Sequence, residues 1–122
     1  MKEFWLSEEK EVFVDGDVGP IQAGFTSGES RDTALLVCHP HPQMQGTMFN
    51  KVVTTVVQAG KSLGFPVCRF NYRGVGASVG VYDHAIGEMA DAIAVAQWLL
   101  LKTGCRKVWL AGFSFGACIA YN

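Results

Sequence analysis

Hydrophobic residues fall along this chain in two rhythms, and the rhythms predict its elements. Thr33 to Cys38 and Val108 to Ala111 are short apolar runs with no polar face, the pattern of strands covered on both sides. Val12 and Val14 instead alternate with Glu11, Phe13 and Asp15. Turn chemistry follows at Asp15-Gly16-Asp17 and Gly19-Pro20, and Ile21 to Thr26 can return, so Glu11 to Ser27 is predicted as a β-hairpin. Asn50 to Leu63 is rich in β-branched residues, which favour strand. Its spacing overrides that preference: Val52, Val53, Val56, Val57 and Gly60 mark one face of a helix, and Gly64 with Pro66 stops it. Pro66 to Tyr72 and Arg106 to Ala111 read as strands. Between them a helix is predicted with Asp83 as its cap and Glu88 and Asp91 in its first turns, where the dipole favours acids. Its expected apolar stripe is Ile86, Met89, Ile93, Ala96 and Leu100, and Lys102 and Gly104 close it. Ala117 to Ala120 begins a further helix. This order predicts an α/β fold: a mostly parallel, doubly wound sheet with an N-terminal β-hairpin and helices on both faces.

Composition narrows the function classes. A chain of 122 residues, 49% apolar and 17% charged, suffices for one domain with a sizeable core. The net charge of −1 and the lack of any basic stripe give no support to a nucleic-acid partner. No apolar run reaches membrane-spanning length, and the N-terminus lacks the apolar core of a signal peptide, so a cytoplasmic protein is expected. Cys38, Cys68, Cys105 and Cys118 have neither metal-like nor disulfide-framework spacing, and three lie in or beside apolar segments. They read as small core hydrophobes in a reducing compartment.

Three loops carry candidate chemistry, and each leaves the carboxyl end of a predicted strand, where ligands gather in such sheets. Gly112-Phe113-Ser114-Phe115-Gly116 fits G-x-S-x-G between a strand and a helix. In a nucleophile elbow Ser114 sits at the tip of the turn, Gly112 and Gly116 avoid clashes as strand and helix close together, and the Phe115 N–H points at the oxyanion of an ester under attack. An ordinary glycine-rich turn is the bland alternative. His39-Pro40-His41-Pro42 is stiff and extended. It reads either as a metal pair, as a rigid surface loop, or as an oxyanion loop in which His41 is the free backbone donor between two prolines; His39 or His41 as a catalytic base is a further option. Gly74-Val75-Gly76 after a strand invites a dinucleotide reading, but Val79 stands where the third glycine of G-x-G-x-x-G belongs, and a packing turn is the better fit.

Taken together these residues resemble the α/β-hydrolase superfamily, in particular its small bacterial esterase-like branch. The resemblance rests on Cys38-His39-Pro40-His41-Pro42, on Gly46-Thr47-Met48 with Asn50-Lys51-Val52-Val53, and on Arg69-Phe70-Asn71-Tyr72-Arg73-Gly74-Val75-Gly76-Ala77-Ser78. It rests also on Gly87-Glu88 with Asp91 and on Leu110 to Ala117. It departs in detail where Gln45 and Ala85 stand at positions that more often hold glycine. The resemblance implies Ser114 as nucleophile, the backbone N–H groups of Phe115 and His41 as oxyanion hole, and His39, Arg73, Gly74, Gly112 and Gly116 as site-lining residues. It implies a small-molecule acyl substrate and neither cofactor nor metal. In this superfamily the triad runs Ser, then Asp or Glu, then His. None of the residues from Phe115 to Asn122 is acidic or histidine. The expectation is therefore that residues 1–122 are the N-terminal part of a single α/β-hydrolase domain, with the acid and the histidine beyond Asn122. This stretch alone is then expected to be nearly inactive, with Val108 to Ala111 at an unpaired apolar edge. The alternative is a non-catalytic or degenerate hydrolase-fold binding module.

Overall fold

The computed structural model of the chain describes residues 3–41 and 46–112. Its organising strand is β3, Thr33–Cys38, in which all six residues are buried. Alternate side chains of a strand point to opposite faces, and here each face has its own helix. Ala34, Leu36 and Cys38 join a core with Ala92, Val95 and Leu99, whereas Leu35 and Val37 join one with Val53 and Val57. A strand clamped in this way has little room for polar side chains, and its one hydroxyl, on Thr33 at the strand's start, donates to Asp32 at 2.9 Å. Each fully buried leucine or valine contributes about 1.5–3 kcal/mol relative to exposure.

The remaining elements are β1 (Lys10–Gly16), β2 (Gly19–Thr26), α1 (Lys51–Ser62), β4 (Val67–Phe70), α2 (Ile86–Thr103) and β5 (Lys107–Gly112). The sheet order is β1-β2-β4-β3-β5. Strands β4, β3 and β5 are parallel, and the β1–β2 hairpin adds antiparallel to β4. The predicted hairpin and the doubly wound α/β architecture are therefore what the chain forms, with the sheet mixed because of the hairpin. No helix among the described residues is long and apolar enough to cross a membrane.

The helices follow the expected spans with changes at their faces. The Asn50 side chain caps α1 by accepting from the Val52 N–H at 2.9 Å. Val53, Val57 and Gly60 face the sheet, while Val52 stays 41% exposed. At Gly60 a Cβ would stand 2.6 Å from a Leu35 methyl, so glycine lets helix and sheet approach. The apolar stripe expected on α2 is corrected by the structure. Met89 and Ala96 of that stripe pack against the core as expected, but Ile86 and Ile93 are 77% and 52% exposed, and the buried positions are Gly87, Glu88, Asp91, Ala92, Val95 and Leu99. Its cap also differs: the residue before the helix is Ala85, not Asp83, and Glu88 reaches back to accept from the Asp83 and Ala85 N–H groups at 2.8 and 2.9 Å. The two acids lie inward because each has partners there. β5 differs from a strand covered on both sides. Among the described residues it pairs only with β3, and Trp109 and Leu110 are 53% and 43% exposed, so it forms an apolar sheet edge.

A buried polar hub ties the N-terminal segment to this frame. Arg69 on β4 is fully buried, and all five of its N–H groups are used. Two reach Glu9 at 2.7 Å, and the others reach the Met48 carbonyl, the Thr54 hydroxyl and the Phe4 carbonyl at 2.8–2.9 Å. The guanidinium also lies 5.1 Å from the centre of the Phe49 ring. Cys38, Cys68 and Cys105 are buried free thiols, as expected; Cys118 lies outside the described residues.

Candidate active site

The three candidate loops leave adjacent parallel strands at one edge of the sheet. From β3 the chain passes through α1 to β4 on one side, then through α2 to β5 on the other. The winding therefore reverses at β3, and open α/β sheets bind ligands in the crevice at the carboxyl ends of strands at such a point. The register is specific: Cys38 pairs with Gly112. The residue before His39 thus lies beside the first glycine of the G-x-S-x-G stretch. Ser114, Phe115 and Gly116 themselves lie outside the described residues. Below Gly112, an apolar hollow of about 100 Å³ is lined by Val37, Cys38, Val52, Val53, Val56 and Ala111.

The loop after β3 is built from internal hydrogen bonds. His39 is fully buried. Its Nε2 accepts the Tyr72 backbone N–H at 3.1 Å, so the proton sits on Nδ1, which donates to the Pro40 carbonyl at 2.7 Å. Burial lowers its pKa to about 4. With both nitrogens engaged and the ring neutral, His39 is neither a metal ligand nor a general base. It is a strut joining the loop to the end of β4, and its ring is buried. Among the described residues no three His, Cys, Asp or Glu side chains come together as a metal-ligand set. His41 lies nearer the surface. Its carbonyl accepts the Gly46 N–H at 3.1 Å, closing the loop on itself. A Cβ on Gly46 would overlap the Pro40 and His41 carbonyl groups, so only glycine permits this closure. Met48 then anchors the return. Its N–H donates to Asn71 Oδ1 and its carbonyl accepts from Arg69, both at 2.8 Å.

The loop after β4 is equally fixed. Arg73 donates to Asp91 from its backbone at 2.8 Å and from Nε and Nη2 at 3.2 and 2.9 Å; Nη2 also reaches Asp17 at 2.6 Å. Those bonds hold its guanidinium above the ordinary range and spend it on joining the hairpin turn, this loop and α2. Gly87 leaves room for it, since a Cβ there would stand 2.5 Å from the guanidinium carbon. Arg73 is thus a structural clamp. Gly74 and Gly76 adopt positive φ of 80° and 53°, and a Cβ on Gly76 would crowd Asn71 and Gln22. Gln22 Oε1 accepts from Asn71 Nδ2 and from the Ala77 N–H at 2.8 and 2.9 Å. The Gly74-Val75-Gly76 turn is therefore a packing device, and the dinucleotide reading falls.

One nucleophile at this edge is removed by its environment. Burial pushes the Cys38 thiol up to about 11, so it stays protonated. Sequence patterning missed Glu9 and Tyr82, and it placed Glu88 in the first turns of α2 without its inward role. Glu9 is bound to Arg69, 60 residues away, and Glu88 reaches back to the turn just before its own helix.

No family model matches the chain. Solved structures do. An α/β serine hydrolase homologue from Coxiella burnetii is 40% identical with a TM-score of 0.86, covering 96% of this chain and 57% of that one. A lidless α/β serine hydrolase of Xanthomonas campestris is 39% identical with a TM-score of 0.85, covering 98% and 56%. Among curated proteins, an uncharacterized protein of Rickettsia prowazekii is 38% identical over 112 residues, 90% of this chain and 47% of its own length. The chain spans about half the length of the relatives it matches.

Proposed function

The chain belongs to the α/β-hydrolase superfamily, and from that premise we propose that the complete protein is a serine acyl hydrolase of esterase type, acting on a small-molecule acyl substrate. The observation that carries this reading is the Cys38–Gly112 register, because it sets a stiff, self-closed loop beside the strand that runs into G-x-S-x-G. Ser114 Oγ attacks the ester carbonyl while a histidine takes its proton, and an acidic residue orients that histidine. The carbonyl π electrons move onto oxygen, and the backbone N–H groups of Phe115 and His41 stabilise the oxyanion. Collapse expels the alcohol, which leaves with the proton from the histidine. Water then attacks the acyl-enzyme in the same way and returns Ser114. Each such N–H donor is worth about 2.7–4 kcal/mol in the transition state. Gly112 and Gly116 allow the tight elbow, and Gly74 borders it.

The acid and histidine are assigned to sequence beyond Asn122, with residues 1–122 as the N-terminal part of one hydrolase domain. The greater length of the matched relatives supports this. Residues 1–122 alone, without a base, are expected to be nearly inactive. The test is turnover of short-chain p-nitrophenyl esters by the complete protein and by Ser114→Ala. Loss of turnover by at least about 10³-fold in the variant is expected; equal turnover in both would overturn the assignment.

A further inference from the structure

The crossing from β4 to α2 contains a strained turn. His84 and Ala85 both take left-handed backbone angles, φ 52° and 76°. Two successive non-glycine residues in that region are costly and persist only when their surroundings over-determine them. Glu88 supplies the determination. It is fully buried, and its two carboxylate oxygens accept the N–H groups of Asp83 and Ala85, one on each side of His84. The turn directs the preceding residue, Tyr82, back across the loop that follows β3. There its hydroxyl shares a hydrogen bond of 3.1 Å with His41 Nε2, and its ring lies 5.1 Å from that imidazole. The His84 ring, 4.9 Å away, packs edge-on against Tyr82.

We propose that Tyr82 is a positioning residue for the His41 peptide, held in place by Glu88 through the strained turn. The inference rests on the reading of the His41 N–H as an oxyanion donor. The peptide that carries the His41 N–H has its own carbonyl, that of Pro40, held by His39 Nδ1 at 2.7 Å. On the far side of the His41 Cα the Gly46 N–H holds the His41 carbonyl, and Tyr82 holds the side chain, so the N–H keeps one orientation. An oxyanion donor works because it is already aimed when charge develops, and a loosened donor lowers kcat more than it raises KM.

A double-mutant cycle in the complete protein tests this, since His41→Ala removes the imidazole and keeps the backbone N–H. Tyr82→Phe is expected to lower kcat on a p-nitrophenyl ester by about 10-fold with KM within about twofold. His41→Ala is expected to do the same, and the double variant to lose no more than either single one. Losses that multiply, or unchanged kcat in Tyr82→Phe, would overturn the proposal. The second readout is the His41 amide in a ¹⁵N-labelled sample. Its resonance should move and its hydrogen exchange should quicken by about 10-fold in Tyr82→Phe. An unchanged amide sinks the positioning role whether or not the protein hydrolyses esters. Absence of Ser114-dependent turnover in a folded wild type, with the amide displaced as expected, instead indicts the hydrolase reading and leaves the positioning of His41 standing.

Discussion

Replacing Glu9 by Gln isolates the energetics of the buried hub. Glu9 and Arg69 side chains are 1% and 0% exposed, and the guanidinium gives two N–H groups to the carboxylate at 2.7 Å. Glu9 Oε1 also accepts the Leu6 N–H at 2.9 Å. Glutamine keeps one acceptor oxygen, turns a donor toward the guanidinium, and leaves the cation buried without its counter-charge. Breaking one side of such a pair costs about 3–5 kcal/mol, a large share of the 5–15 kcal/mol that holds a typical domain. The damage should reach the candidate site, because Arg69 holds the Met48 carbonyl on the return of the loop after β3. Guanidinium denaturation of the complete protein measures the effect as a fall in midpoint at constant slope. Arg69→Met combined with Glu9→Leu should cost less than the sum of the two single changes, since no charge is then stranded and what remains is the loss of donors to the Met48 and Phe4 carbonyls and the Thr54 hydroxyl. A Glu9→Gln cost below about 1 kcal/mol would refute the reasoning, because that is the value of an exposed pair.

Two further outcomes follow from the loop after β3. Gly46→Ala forces a methyl against the Pro40 and His41 carbonyls; it should cost about 1–3 kcal/mol in denaturation and lower ester turnover far more than Gly104→Ala, which is destabilised by its left-handed φ of 73° alone, since a Cβ there meets nothing within 4 Å. His39 is held at about 4 against its ordinary 6.5 by burial. The unfolded chain therefore takes up a proton below about 6.5 that the folded ring refuses until about 4, so this contribution to stability is complete above pH 6.5 and is lost as pH falls toward 4, at about 1.4 kcal/mol per unit. A ring-proton NMR titration should place His39 near 4, and a midpoint near 6.5 would contradict its buried, neutral role.

Much of the fold was legible because burial and chemistry coincide in the strands. β3 reads as apolar throughout because helices cover both of its faces, and the hairpin alternates because only one side of β1 is buried. α2 was not legible in the same way. Patterning sends charged residues outward, yet Glu88 and Asp91 face inward on bonds to the Asp83 and Ala85 N–H groups and to Arg73, which displaces Ile86 and Ile93 to the surface. The site was legible as punctuation: His39-Pro40-His41, the Gly74 turn and G-x-S-x-G all stop strands, and parallel pairing gathers strand ends at one edge. The division of labour inside those loops was not. His39 and Arg73 look like site residues in sequence, but a backbone N–H of Tyr72 and the carboxylate of Asp91 claim them, and such partners exist only once the strands are paired.

The central claim is that Ser114 is an activated nucleophile in the complete protein. Incubation with a fluorophosphonate, followed by proteolysis and mass spectrometry, tests it directly. The account predicts one phosphonyl adduct per chain, located on Ser114 and absent from Ser114→Ala. A folded sample that stays unlabelled, or that carries its adduct on another residue, would contradict it.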